Sequence, residues 1–262
     1  MKAYILDTGY LACDENWIVA MKTYATSKDK NPPRIWTKMP VYCVLIEHPE
    51  GKFIFDMGCD PHINEFMKKI ERHHVTSFPY IYTPEQTLEH QLSLCNTKLE
   101  EIKAIILSHL HYDHVGNLPL FHGIDVYVNK ADYESAIENG PAALYFDQYI
   151  KEPNVNFILI EDSFTLAEGI DIIALGSSHC AGLLGLLLHL QEQVLLFPSD
   201  ILYSKENWGP PLKPSGKVYD SLGFVKVAGQ IQSLVKQHHA RIMFPHDITE
   251  FETYKKAPRY YE

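Results

Sequence analysis

The run His109-Leu110-His111-Tyr112-Asp113-His114 follows directly on Ile102-Lys103-Ala104-Ile105-Ile106-Leu107, and the reading of the chain turns on this junction. A short, continuous apolar run predicts a strand buried on both faces. Four candidate metal ligands then fall within six residues. His109 and His111 are two apart, so in an extended or turning segment they point the same way. Asp113 and His114 follow where the chain leaves the sheet and side chains can converge on an open face. Imidazole and carboxylate donors suit zinc where thiolates are absent. Chance clusters of surface histidines rarely come with an apolar strand before them and Gly116-Asn117 after.

Four ligands from one segment cannot close two metal sites, so further donors are expected at later strand ends. Asp200 follows Val194-Leu195-Leu196-Phe197-Pro198-Ser199, where an unpaired buried carboxylate would be costly and a metal would remove the cost. His246 follows Arg241-Ile242-Met243-Phe244, and His179 follows Ile170 to Leu175 and the small-residue turn Gly176-Ser177-Ser178. Singly, each reads as a structural or surface residue. Together they repeat the placement of the first cluster. Cys180 adjoins His179, but neighbours in an extended turn point apart, so a small buried side chain outside the ligand set is expected.

Outward from this centre the chain alternates strands and helices. Strands are predicted at 3–11, 41–47, 52–56, 102–107, 125–128, 157–160, 170–175, 183–190, 193–198 and 241–244. Helices are predicted from Pro84, over 130–138 and over 220–238. Residues 14–40 read as a long loop with Trp17, Met21, Tyr24 and Trp36. The mixture predicts an α/β layered fold over residues 1–262 as one domain.

The 262 residues carry 33 acidic and 23 basic side chains, a formal net charge of −10 that argues against a phosphate-backbone ligand. The hydrophobic fraction of 46% is that of an ordinary globular chain. Five scattered cysteines without a C-x-x-C pair predict no disulfide framework. No stretch reaches the ~18 to 20 apolar residues of a membrane helix, and Met1 to Asp7 does not read as a secretory signal. A cytoplasmic protein with neither a nucleic-acid nor a membrane partner is expected. Of the 14 histidines, those at 48, 62, 73, 74, 90, 122, 189, 238 and 239 are expected to be solvated.

The ordered set His109-x-His111-x-Asp113-His114, then His179, Asp200 and His246, resembles the ligand order of the metallo-β-lactamase superfamily. Asp56-Met57-Gly58 is similar to that family's Asp-x-Gly turn, whose acid supports the metal site from behind. Within the superfamily the chain looks most like the N-acyl-homoserine lactonases, the quorum-quenching lactonases. The closer match is carried by residues 40–46, 108–116, 179–186, 199–203, 207–211 and 244–247. The resemblance implies an αββα sandwich, with two mixed β-sheets flanked by helices and two zinc ions per chain, other divalent metals fitting the same donors. By position, His109, His111 and His179 would bind one metal. Asp113, His114 and His246 would bind the other, Asp200 would bridge both, and Tyr203 would contact the substrate.

The chemistry expected of such a site is attack of a metal-held hydroxide on a lactone carbonyl. Tyr203 O–H would steady the oxyanion and Asp113 would carry a proton to the leaving oxygen. The substrate is expected to be a small-molecule lactone or ester, and the protein a monomer or homodimer. Trp17, Met21, Trp36, Phe78, Tyr80 and Tyr82 either line a groove for an acyl chain or pack the loops down. Hydrolysis of another ester, lactone or thioester uses similar metals and stands as the alternative.

Overall fold

Alternation along the strands sorts their side chains onto two faces, and both faces are apolar. Ile5 turns one way and Leu6 the other. Val44 and Ile46 oppose Cys43 and Leu45, and Phe53 and Phe55 oppose Ile54. Such strands need cover on each side, which a four-layer stack provides.

The computed structural model describes residues 1–70, 76–151 and 154–262. The strands, in chain order, are β1 (Lys2–Asp14), β2 (Trp36–His48), β3 (Gly51–Phe55), β4 (Tyr80–Ile81), β5 (Ile102–Ile106) and β6 (Ile124–Asn129). They continue as β7 (Val155–Ile160), β8 (Phe164–Ala167), β9 (Ile170–Gly176), β10 (Leu183–His189), β11 (Val194–Phe197) and β12 (Arg241–Ile242). One sheet runs β4-β1-β2-β3-β5-β6-β7 and the other β12-β11-β10-β9-β8. Both are mixed: β3, β5, β6 and β7 pair in parallel, as do β11 and β12, and the remaining pairs are antiparallel.

Between the sheets, Ile5, Val44, Ile46, Phe53, Phe55 and Ile106 pack with Ile170, Ile172, Leu184, Leu186 and Phe197. Outside the first sheet, Leu45, Ile54 and Ile105 share a core with Leu88 and Leu92 of the helix Leu88–Leu94 and Ala136 of the helix Lys130–Asn139. Outside the second, Leu175, Leu187 and Leu196 meet Phe224, Val227 and Ile231 of the helix Ser221–His238. This is the αββα sandwich that the family resemblance implies.

Several local readings change. Residues 14–40 are not one loop: β1 continues to Asp14, a single helical turn covers Glu15–Trp17, and β2 begins at Trp36. The helix Ile63–Ile70 and strands β4 and β8 were not anticipated, and the strand expected at 241–244 is only Arg241–Ile242. His62, His90, His122 and His239 are exposed, while His48, His189 and His238 are half-buried. His73 and His74 lie outside the described residues.

The Asp56 turn and the histidine segment are laced together. Met57 N–H donates to His114 O at 2.8 Å, Gly116 N–H to Gly58 O at 2.7 Å, and the Asn117 amide to Met57 O and Cys59 O at 2.6 and 3.0 Å. This close approach requires a glycine. A Cβ on Gly116 would lie 2.0 Å from Asp60 N and 2.4 Å from Cys59 C, both backbone atoms that cannot step aside. Gly116→Ala is expected to destabilise the protein by about 1–3 kcal/mol through overpacking, read from urea unfolding. An unchanged midpoint would contradict this docking.

Candidate metal centre

Every proposed ligand lies just past a strand end, where the two sheets open toward one another. His109 and His111 follow β5, and Asp113 and His114 lie within the short helix Tyr112–Val115. His179 follows β9, Asp200 follows β11 and His246 follows β12. All seven side chains are buried.

The structure brings all seven together in two groups. Donor atoms of His109, His111 and His179 lie within 4.8 Å of one another, as do those of Asp113, His114, Asp200 and His246. In the first group, His109 Nε2 and His179 Nε2 stand 2.8 and 3.0 Å from His111 Nδ1. Asp200 lies between the groups. Its Oδ2 is 3.8 Å from His109 Nε2 and 3.5 Å from His179 Nε2, while its Oδ1 is 3.4 Å from His114 Nε2 and 3.2 Å from His246 Nε2. Asp113 Oδ2 is 3.6 Å from His114 Nε2 and 3.8 Å from His246 Nε2.

Hydrogen bonds behind the rings fix which nitrogen faces inward. A carbonyl oxygen only accepts, so His246 Nδ1–H donates to Pro40 O at 2.8 Å and His179 Nδ1–H to Lys217 O at 3.2 Å. His114 Nδ1 meets Asp56 Oδ2 at 2.8 Å, and Asp56 Oδ1 accepts Ser108 N–H at 2.7 Å. Each bond leaves Nε2 free to coordinate, an arrangement typical of metal-binding histidines. Asp56 adopts a left-handed φ of +60°, which tips its carboxylate under the site.

A fit to metal follows from what is left over. His114 Nε2 and Asp200 Oδ1 are buried without a hydrogen-bond partner, a costly state that a shared cation would relieve. Burial, joined by neighbouring His114, holds His109 well below its ordinary pKa. Burial and then the Lys217 ammonium do the same for His111. Burial takes His179 down to about 3. These three are neutral imidazoles, the form that binds metal. Burial also opposes charge on His114, but the Asp113, Asp200 and Asp56 carboxylates together outweigh it and raise the pKa.

Tyr203 lines a pocket beside the centre with Leu11, Trp17, Met39, Phe78, His111 and others. Its ring lies 5.5 Å from that of His179 and 4.7 Å from that of His246. Burial first, then the Asp200 and Asp113 carboxylates, keep its hydroxyl protonated. Of the six aromatic and methionine groove candidates, Trp17 and Phe78 line this pocket, edge-to-face at 4.9 Å. Tyr80 is buried, stacked on Tyr82, whereas Met21 and Trp36 are 71% and 57% exposed. Cys180 is buried with its thiol donating to Gly182 O at 3.3 Å, and it belongs to neither donor group.

Two further residues shape the centre and have no clear sequence signal. Buried Asp132 accepts Leu110 N–H at 2.8 Å and Tyr145 O–H at 2.6 Å, and the Tyr145 ring tilts against His111. In the sequence it reads as an ordinary acid in the first turn of a helix. Lys217 follows the Pro/Gly-rich loop 209–216, and its Nζ lies 2.7 Å from His111 Nε2. Burial pushes its pKa down to about 8.

The chain belongs to the metallo-beta-lactamase superfamily, whose family model matches residues 36–244. It is 26% identical to N-acyl homoserine lactonase AiiB of Rhizobium rhizogenes, the match covering 98% of this chain and 97% of the relative. The fold is shared with a variant of AiiA from B. thuringiensis that has N-decanoyl-L-homoserine bound at its active site. There the TM-score is 0.86, the identity 22%, and the coverage 99% of this chain and 98% of that one. An N-acyl homoserine lactone hydrolase with the product N-hexanoyl-L-homoserine at its catalytic metal centre matches at TM-score 0.86 and 23% identity, with 99% and 98% coverage.

Asp56→Asn tests the support behind His114. Asparagine tolerates the left-handed backbone and its Oδ1 keeps the Ser108 bond, so the change removes charge and little else. Chelator competition is expected to show a roughly 10- to 100-fold loss of metal affinity. Unchanged affinity would mean that Asp56 does not tune the ligand.

Proposed function

We propose that the protein is a dinuclear zinc hydrolase that opens the lactone ring of N-acyl-L-homoserine lactones. The observation that carries this reading is Asp200, whose one carboxylate lies within 3.2–3.8 Å of imidazole nitrogens of both donor groups and lines a largely apolar pocket. His109, His111 and His179 would hold one ion, and Asp113, His114 and His246 the other, with Asp200 shared. Bound there, the ions supply hydroxide at neutral pH and polarise a carbonyl.

The chain's own groups do the rest. Leu11, Trp17, Met39, Phe78 and Leu144 form the apolar wall that would receive an acyl chain and exclude water. Tyr203 lines the same pocket, and its protonated hydroxyl would donate to the oxygen that gains charge as the carbonyl carbon becomes tetrahedral. Asp113 also lines it and would carry the proton to the departing alkoxide. Lactonase relatives that align along nearly the whole chain support the choice of substrate. The five cysteines are free and buried, which supports a reducing compartment such as the cytoplasm. Among the described residues, no helix is long and apolar enough to cross a membrane.

A pH-drop assay over lactones, simple esters and thioesters is expected to give the highest kcat/KM on acyl-homoserine lactones. Activity confined to thioesters would overturn the reading. Tyr203→Phe is expected to lower kcat by roughly 100-fold, as removal of an oxyanion donor does, while metal content stays at two ions per chain. An unchanged kcat would remove Tyr203 from the mechanism.

A further inference from the structure

Asn207 belongs to neither donor group and lies outside the inter-sheet core, yet its side chain is wholly buried. A primary amide has a carbonyl oxygen with two lone pairs and an NH2 with two donors. Here all four are used. Oδ1 accepts Ser204 N–H at 2.7 Å and Ser204 Oγ–H at 3.0 Å, while Nδ2 donates to Ile18 O and Lys213 O, both at 3.0 Å. The two carbonyls only accept, so the amide sits one way round.

These partners come from three segments far apart in sequence, and each segment carries one residue of the pocket. Ile18 follows Trp17, Ser204 follows Tyr203, and Lys213 leads into the stretch that reaches Lys217. Backbone bonds extend the tie. Gly216 N–H donates to Trp17 O and Ala20 N–H to Pro214 O, both at 2.9 Å, and Lys213 N–H to Asn207 O at 3.1 Å. A Cβ on Gly216 would lie 2.3 Å from Asn16 O, so the two loops touch backbone to backbone. The Lys22–Glu206 ion pair spans the same loops, but it is partly exposed and carries little weight beside a buried amide.

Regular structure does not hold these loops in register, because residues 18–35 and 209–220 form no strand or helix. Strand pairing therefore cannot set the Trp17 wall against Tyr203, whereas the Asn207 amide bonds to both sides. Asn207 does not itself line the pocket, so its influence passes through the residues it holds. Resting on the lactonase reading, we infer that Asn207 is a positioning residue. It keeps the apolar wall at Trp17 and the hydroxyl of Tyr203 in one register across the pocket.

Double-mutant cycles on the metal-loaded enzyme test this, with kcat/KM for N-hexanoyl-homoserine lactone and metal content measured in every variant. Asn207→Ala is expected to keep two ions per chain and to lower kcat/KM by roughly 10- to 100-fold through misplacement. The same substitution made on Trp17→Ala, or on Tyr203→Phe, is expected to cost less than on wild type, by roughly threefold or more in each cycle. Asn207→Asp keeps the side-chain shape and the acceptor for Ser204, and serves if the alanine variant does not fold. It sets an oxygen against Ile18 O and Lys213 O, so its loss is expected to couple to Trp17→Ala. Losses that simply add in these cycles would overturn the proposal, since a residue that only stabilises the fold gives that result. Loss of metal in either Asn207 variant would overturn it too, by making Asn207 a support of the donor groups. If wild type hydrolyses other esters and not the lactone, the lactonase reading fails, and the same cycles on that ester still decide the role of Asn207.

Discussion

The carboxylate of Asp200 is buried among four imidazoles and does not pair with any one of them alone. Its two oxygens lie 3.2–3.8 Å from imidazole nitrogens of both donor groups. Burial disfavours its charge, yet His246 and His114 outweigh that and hold its pKa well below the usual carboxylate range. Taking an unshared carboxylate out of water costs several kcal/mol. The surrounding strands are arranged so that this cost is met at one place, by donors arriving from both sheets.

That demand explains features otherwise unconnected. The Ser199 backbone takes a positive φ of 55°, turning the chain sharply after β11 so that Asp200 enters the cleft. Pro40, in β2 of the first sheet, accepts from His246, whose chain comes from the second, so one candidate ligand's orientation depends on how the sheets are docked. The docking is in turn held by the inter-sheet core of Ile, Leu, Val and Phe side chains. Hydrophobic packing here places chemistry as well as stabilising the fold.

Much of this was legible in the sequence, for physical reasons. A donor side chain past a strand end is marked by the apolar run before it, and that signal picked out His109, His111, Asp113, His114, His179, Asp200 and His246 as candidate ligands, which the fold brings into two groups. The two-faced strands announced buried sheets. What failed to show was whatever depends on tertiary direction. Asp132 and Lys217 are charged residues in ordinary local settings, and only the folded chain turns them inward. Phe164–Ala167 and Tyr80–Ile81 are too short for a period-2 pattern to emerge, and they owe their strand geometry to their partners β9 and β1. The span 14–40 looked like a loop because Pro32-Pro33 and polar residues obscured the start of β2 at Trp36.

Metal stoichiometry measures the central claim most directly. Elemental analysis of protein purified in the presence of zinc should give two ions per chain. In Asp200→Ala, where the shared carboxylate is gone and the other six donors remain, it should fall to one or fewer. A single ion in the wild type, or two ions retained without Asp200, would contradict a centre organised around that residue.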